Sequence, residues 1–525
     1  MTTTLRRLPA LSKEAGWLAG QVRWTWNSVL LMAAAAFTFA MLLGTPVKGL
    51  ANNGDYGRIM QALGVQAVAS QPLSATQLTQ YFVTGIPISE PVPPGGNSAA
   101  ERAYYWGAHG YASSQLLVDK AAIYVGAGLG NPQEFDIRWI GAANGLVLIF
   151  GIGLVLLALR QLSRPARIVA SVLVVLAFTD FGYLEYMNSF FSEPSELTFL
   201  LAAVGAAGAV PVLHGRLRAA SFICYIACTG LFVWSKEGDY ISALPLVALA
   251  PWLAWRYFRR WWSRAIALAS CLVLAVATWL SVGTNIPYLQ ALRIYDSVFD
   301  GIMPSAPSPQ VGAKELGLPA SLAQYSGYDV FQSADNAFVA PGIQTEFFDR
   351  ISYSKLVKFY AENPGTLLTA LSHASATSLD LRVPYLSNLA DSSGVHYDTH
   401  SPWTALHEDI LPHGLWFILA VPSLTLSAGV VGLLRRRRRN PASAALLTAL
   451  GLMAILNFAE PVIADGFRNE LIKHEFLFNV TFDMCLIADV AILLAWIASL
   501  RGWPNEPRAA DAGPLKALPK PAAPR

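Results

Sequence analysis

Runs of about twenty apolar residues recur along this chain, and no other feature constrains its folding so strongly. They lie at about 27–46, 139–159, 166–182, 194–213, 218–234, 239–256, 262–282, 412–434, 441–460 and 475–499. A lone segment in lipid satisfies its backbone N–H and C=O groups only as a helix. The expected fold class is therefore an all-α polytopic membrane protein with about ten transmembrane helices. Composition agrees: charged residues are 14% and hydrophobic ones 54% of the chain, whereas soluble domains carry about 25% charge.

Orientation follows from the basic residues. Arg6, Arg7, Lys13 and Arg23 precede the first span; Arg160, Arg164 and Arg167 follow the second; Arg216 and Arg218 the fourth. Arg256, Arg259, Arg260 and Arg264 follow the sixth, the run Arg435 to Arg439 the eighth, and Arg501 the tenth. With ten spans all six clusters fall on one side, and the positive-inside rule puts both termini in the cytoplasm of a multi-pass plasma (inner) membrane protein. The expected division is a cytoplasmic 1–26, a seven-helix bundle 27–282 interrupted by an extracytoplasmic loop 47–138, an extracytoplasmic cap 283–411, three helices in 412–499 and a disordered cytoplasmic tail 500–525. The two outer segments read as mixed short helices and loops. No cytoplasmic stretch is long enough for a nucleotide-sugar domain, an ATPase or a kinase.

Several function classes drop out. The arginine run is expected as a stop-transfer cluster against anionic lipid, not a nucleic-acid site. Cys224, Cys228, Cys271 and Cys485 all sit inside predicted spans, so no disulfide framework is expected. His396, His400 and His407 share an outer loop without the spacing of a structural zinc site. There is no P-loop, no dinucleotide fingerprint, no nucleophile elbow and no internal repeat of the transporter kind.

Polar residues at the outer edge are the candidates for chemistry, because charge near hydrocarbon is costly unless paired or hydrated. Asn53-Gly54-Asp55-Tyr56-Gly57-Arg58 follows the first span; as a bare pattern it also suits a solvated turn. Between the third and fourth spans stand Asn188, Glu193 and Glu196, the two acids three apart on one helical face, where helix capping is the alternative role. Lys236, between Ser235 and Glu237 in the turn after the fifth span, is placed either to hold a lipid phosphate or to snorkel to headgroups. Arg468, Lys473 and His474 form an anion-binding run before the last span, with Asn479 and Asp483 four apart on the helix that follows. In 283–411, Tyr385, Tyr397 and Trp403 suit either sugar stacking in an acceptor lid or the core of a small cap.

These patterns resemble a bacterial family of membrane glycan hexose transferases, the WsfD type, related to the GT-C glycosyltransferases. The resemblance rests on Asn53-Gly54-Asp55-Tyr56, Asn188-Ser189-Phe190-Phe191-Ser192-Glu193, Tyr295 to Met303, Glu315 to Pro319, Phe359 to Pro364, and Lys473 to Asn479 with Asp483. It spreads over most of 27–499. One departure is Lys473, where the family pattern leads one to expect arginine, with its two-pronged grip on phosphate.

The resemblance implies a GT-C-like enzyme whose active site faces the periplasm or exterior. It would take a hexose from a polyprenyl-phosphate donor and pass it, with inversion, to a cell-surface glycan or polymer acceptor. Asp55 matches the position of the general base, with Glu193 second choice. Lys236, Arg468, Lys473 and His474 would bind the donor phosphate, and Asn53, Tyr56, Arg58, Asn188, Glu196, Asn479 and Asp483 would support substrate. No cofactor is required; a divalent metal is compatible with such carboxylates but not demanded. The bilayer is a partner and nucleic acid is not. A lipid-linked oligosaccharide flippase, or an O-antigen polymerase or ligase, is the alternative class.

Overall fold

A computed structural model describes residues 26–45, 47–51, 55–67, 80–83, 112–130, 134–236, 238–282, 287–330, 343, 346–383, 386, 401–435, 441–464, 466 and 471–500. Helix α1 (Trp26–Leu43) leads to the short α2 (Tyr56–Leu63). A small antiparallel sheet follows, β1 (Val65–Ala67), β2 (Gln80–Val83) and β3 (Glu134–Asp136), in register through Val65↔Val83 and Tyr81↔Phe135. Helix α3 (Gln115–Leu129) lies between β2 and β3 in the chain. Next come α4 (Arg138–Ala158), α5 (Arg164–Phe178), the one-turn α6 (Phe181–Leu184), α7 (Glu193–Ala209), α8 (Gly215–Val233), α9 (Asp239–Tyr257) and α10 (Trp261–Val282). The segment expected as a cap is mostly helical where described: α11 (Pro287–Asp296) running into a π-helical turn at Ser297–Ile302, then α12 (Pro309–Glu315), α13 (Tyr353–Glu362), α14 (Pro364–Ala374) and α15 (Pro402–Ala405). Helices α16 (Leu415–Leu434), α17 (Pro441–Ala464), the one-turn α18 (Leu471–His474) and α19 (Phe476–Leu500) complete the chain.

Each of the ten apolar runs is helical, and the protein is a helical membrane protein. Seven of these helices are long and apolar enough to cross a membrane: α1, α4, α8, α10, α16, α17 and α19. The sequence reading gives ten, and the difference has a physical basis. Helix α5 has 15 residues and α7 has 17, which at about 1.5 Å per residue is less than the roughly 30 Å of bilayer hydrocarbon. Helix α9 has 19 residues, but Asp239, Arg256 and two prolines, Pro245 and Pro251, leave it less apolar than the seven.

Helix α7 is the centre of the bundle, with every residue buried. Its Ala/Gly-rich run lets neighbours approach closely: a Cβ added at Gly205 would lie 2.6 Å from the Val155 backbone N of α4. Small residues at such interfaces are how helices associate in lipid, where burying apolar surface against a partner gains little over burying it in acyl chains. By contrast α10 is peripheral. Trp261 and Trp279 near its two ends are 81% and 77% exposed, about 27 Å apart along the axis, the spacing of two interfacial aromatic anchors.

Two buried carboxylates fasten the 401–410 segment to the bundle. Asp180 accepts from Ser401 Oγ, from Thr404 Oγ1 (2.6 Å) and from the Trp403 backbone N–H (2.9 Å). Asp483 on α19 accepts from Tyr183 OH (2.7 Å) and Trp403 Nε1 (2.8 Å), and pairs with His407 Nε2 (2.7 Å). Trp403, a candidate for sugar stacking, is thus part of the core, 4% exposed. Tyr385 and Tyr397 lie outside the described residues.

Candidate functional site

The chain segments after α1, between α5 and α7, between α8 and α9, and between α17 and α19 meet at one end of the bundle. Asp55 stands at the N-terminus of α2, where its backbone carbonyl accepts from the Arg58 N–H (3.2 Å) and closes the first turn. That turn puts Arg58 three residues on, on the same side, and its Nη2 lies 2.8 Å from Asp55 Oδ1. Tyr56 anchors the turn. It is 2% exposed, donates to Leu50 O (2.6 Å), and packs edge-on against Phe190 and Phe191 with ring centroids 5.4 and 4.9 Å away.

Asn188 holds the other side of this loop. Its Nδ2 donates to Leu42 O (2.9 Å) and Lys48 O (2.7 Å), so one amide ties the end of α1 to the strap that leads to Asp55. The Leu50 N–H donates to Glu185 O (3.1 Å) beside it. Gly141 on α4 makes room for the amide: a Cβ there would lie 1.8 Å from Asn188 Oδ1.

Lys473, on α18, reaches across to Asp55 Oδ2 in a short ion pair, and its ammonium lies 4.5 Å from the centre of the Phe191 ring. Lys236 arrives from the α8–α9 turn, which is tied down by Ser113 Oγ donating to Ser235 O (2.5 Å) and by the Ser114 N–H donating to Trp234 O (2.6 Å). Lys236 Nζ lies 3.0 Å from Glu193 Oε1 and 3.9 Å from Glu196 Oε1, both on the first turn of α7. Asp55, Arg58, Glu193, Lys236 and Lys473 with Ser192, Phe190, Phe191 and Ile59 line one cavity of about 270 Å³.

The charges support one another. Burial alone would raise the Asp55 carboxyl, but Arg58 and Lys473, with Lys236 behind them, outweigh it and hold Asp55 well below the usual carboxylate range. Burial would likewise lower the Lys236 ammonium; Glu193 and Glu196 reverse that and keep it well above its ordinary value. The site therefore holds an ionised carboxylate among cations.

The structure thus brings together Asp55, Tyr56, Arg58, Asn188, Glu193, Lys236 and Lys473, seven of the residues selected from sequence. Glu196 and His474 face a second cavity of about 380 Å³ on the other side of Lys236, with Asp239, Ser242, Arg293, Asn457 and Glu460. Asn479 and Asp483 lie elsewhere. Asn479 Nδ2 donates to Asp380 O (3.4 Å), and Asp483 is fully buried in the fastening described above. Asn53, Glu237 and Arg468 lie outside the described residues. Among the described residues no group of three His, Cys, Asp or Glu side chains is placed to hold a metal ion. A larger cavity of about 870 Å³, lined by aliphatic residues such as Val155, Leu201, Leu450 and Ile487, contains none of the candidate site residues.

Sequence reasoning did not select Arg293, Asn457 or Glu460. The latter two left a signal, since an amide and an acid inside the apolar run 441–460 are costly without partners. Arg293 left none: it is one scattered arginine until α11 folds beside the α8–α9 turn, where its Nη1 lies 4.0 Å from Glu460 Oε1.

Among solved structures, the archaeal oligosaccharyltransferase AglB from Archaeoglobus fulgidus, in complex with an inhibitory peptide and a dolichol-phosphate, aligns at 12% identity and a TM-score of 0.40, over 91% of this chain and 51% of its own. The Archaeoglobus fulgidus oligosaccharyltransferase in complex with Zn and sulfate aligns at 13% and 0.37, over 90% and 51%. The apo form aligns at 12% and 0.37, over 91% and 52%. The chain spans about half the length of these proteins. No curated protein sequence matches it significantly. Residues 18–507 match the family described as the YfdI N-terminal transmembrane domain, and the chain belongs to that family.

Proposed function

We propose that this protein is an integral-membrane glycosyltransferase of the GT-C kind. It moves a hexose from a polyprenyl-phosphate donor to a cell-surface glycan acceptor on the outer face of the membrane, with Asp55 as general base. The observation that carries the proposal is the first cavity. Two carboxylates and three cations from four segments of the chain, Asp55, Glu193, Arg58, Lys236 and Lys473, line a single hollow at the end of an apolar bundle. The likeness of the Asn53–Tyr56, Asn188–Glu193 and Lys473–Asn479 runs to membrane hexose transferases supports the same function.

In this mechanism an acceptor hydroxyl sits against Asp55, which takes its proton as the oxygen bonds to the anomeric carbon. The bond from that carbon to the donor phosphate oxygen breaks on the opposite face, inverting the centre. The electron pair leaves with polyprenyl phosphate, which gains a second negative charge. Arg58, Lys236 and Lys473 neutralise that charge; cations placed where charge develops lower the barrier directly. The ion pairs also couple the two halves of the reaction. A donor phosphate drawing Arg58 and Lys473 toward itself removes part of what keeps the Asp55 carboxyl weakly basic, so the base strengthens once the donor is seated.

The test uses purified full-length protein in lipid nanodiscs with polyprenyl-phosphate hexoses and a glycan acceptor. Wild type should release polyprenyl phosphate. Asp55→Asn should lower release by about 10²–10⁴ while the variant still unfolds in a single cooperative thermal transition. Full turnover by the variant removes Asp55 as base, and failure of wild type with every hexosylated lipid removes the donor class.

A further inference from the structure

The second cavity differs from the first in a way that assigns it a ligand. Arg58, Lys236 and Lys473 outnumber Asp55 and Glu193 around the first. Around the second, Glu196, Asp239 and Glu460 outnumber the permanent cations Lys236 and Arg293, with the His474 imidazole beside them. A phosphate suits the first balance and not the second.

Two residues that line the second cavity each carry a buried, unused acceptor atom. Asp239 is 5% exposed, and its Oδ2 has no hydrogen-bond partner among the described residues. Asn457 is 3% exposed; its Nδ2 donates to Thr481 Oγ1 (3.2 Å) and reaches Leu477 O (3.4 Å), which fixes the amide and leaves Oδ1 unpartnered. A buried polar atom without a partner is costly, so two of them on residues lining one cavity point to a place where a ligand completes the bonding. Arg293 and Lys236 supply donors on the same walls. Acceptors and donors on the walls of one cavity match hydroxyls, each of which gives one proton and accepts two.

The two cavities share Lys236, and the first turn of α7 serves both, with Glu193 facing one and Glu196 the other. We infer that the second cavity is the subsite for a hexopyranose ring, with Asp239 Oδ2 and Asn457 Oδ1 as its specificity-determining acceptors. Lys236 joins it to the phosphate side. The inference rests on the proposed function and adds which surface reads the sugar.

The test measures binding to the full chain in nanodiscs of three ligands: polyprenyl phosphate, polyprenyl-phosphate hexose and the free acceptor glycan. Wild type should bind the hexosylated lipid about tenfold or more tightly than the bare lipid phosphate, the size of one or two hydrogen bonds to the sugar. Asn457→Ala should erase that preference while bare-lipid affinity stays the same. Ser242→Ala, a smaller change on the same wall, should weaken it about two- to fivefold, and guards against a folding defect in the first variant. If Asn457→Ala instead weakens only the free glycan, the ring held is the acceptor's; if it weakens only the hexosylated lipid, the ring is the donor's. Equal wild-type affinity for the two lipids, or equal loss for both in Asn457→Ala, overturns the subsite alone. Failure of wild type to bind either lipid overturns the lipid-phosphate donor, and the subsite with it.

Discussion

Two carboxylates that close the same end of the bundle have opposite surroundings. Asp483 is fully buried and meets a phenol, an indole N–H and an imidazole. Asp55 is 25% exposed at its side chain, lines a cavity, and is held by two flexible cations. A carboxylate whose lone pairs are taken by rigid aromatic donors has nothing left to offer a substrate, and what it contributes is the position of the 401–410 segment. A carboxylate balanced by cations beside a cavity stays ionised and remains open to a substrate. The contrast separates a fastening from a reactive site without reference to sequence position.

The largest effect should come from the fastening. Asp483→Ala strands the Tyr183 hydroxyl, the Trp403 indole N–H and His407 in an apolar environment, a class of change that costs about 3–5 kcal/mol. Thermal unfolding in detergent should show the loss, and protease should reach the 401–410 segment. If Asp483→Ala unfolds like wild type but stops turnover, the division between fastening and site is wrong.

A smaller effect is expected from the strap that places Asp55. Asn188→Ala removes two hydrogen bonds from one buried amide, about 1–3 kcal/mol in all, and should lower turnover through displacement of the 47–58 loop. Gly141→Ala should reproduce the defect, because its Cβ would occupy the place of Asn188 Oδ1. Normal turnover in both variants would show that Asp55 finds its place without the strap.

Lys473→Arg tests the departure from the family pattern. Lys473 is 4% exposed and lies against the Phe191 ring. A guanidinium keeps the charge and stacks on an aromatic face, but needs more room. Donor KM should shift by about two- to tenfold with little change in kcat, whereas Lys473→Met should lower both. Equal loss in Arg and Met variants would show that shape, and not charge, is read at this position.

What the sequence reveals follows from how locally each feature is encoded. Ten helices are legible because a twenty-residue apolar run needs no partner to be recognised. Three of them are too short or not apolar enough to stand as spans alone, and burial of α7 on all sides is a property of its neighbours. Asp55, Lys236 and Lys473 are legible as charges next to lipid, although the pairing of residues 418 positions apart is not. Asp483 shows the limit: an acid inside an apolar run reads the same whether it meets substrate or, as here, Trp403 and His407 from a distant segment. The Asp239–Asn457 cavity is hidden for the same reason, since α7, α9, α11, α17, α18 and α19 all contribute to its walls.

The smallest effect is the pH dependence, and it divides the two carboxylates once more. Burial would lower the His407 imidazole, but the adjacent Asp483 charge outweighs it and raises the group above its ordinary 6.5. A raised folded value means the pair's contribution is complete below pH 6.5 and is lost as pH rises through the elevated value. Asp55 runs the other way: its folded value lies below the ordinary 3.8, so its contribution is present above that pH and is lost only as pH falls further. Between about pH 5 and 9, then, titration of the fastening should change stability and titration of Asp55 should not. The difference in unfolding midpoint between wild type and His407→Gln should be greatest in the acid part of that range and shrink toward the alkaline end, while the difference between wild type and Asp55→Asn stays flat. A sloping Asp55 difference would mean that Arg58 and Lys473 do not hold the carboxylate as tightly as the geometry requires, and that the base is already poised before any phosphate arrives.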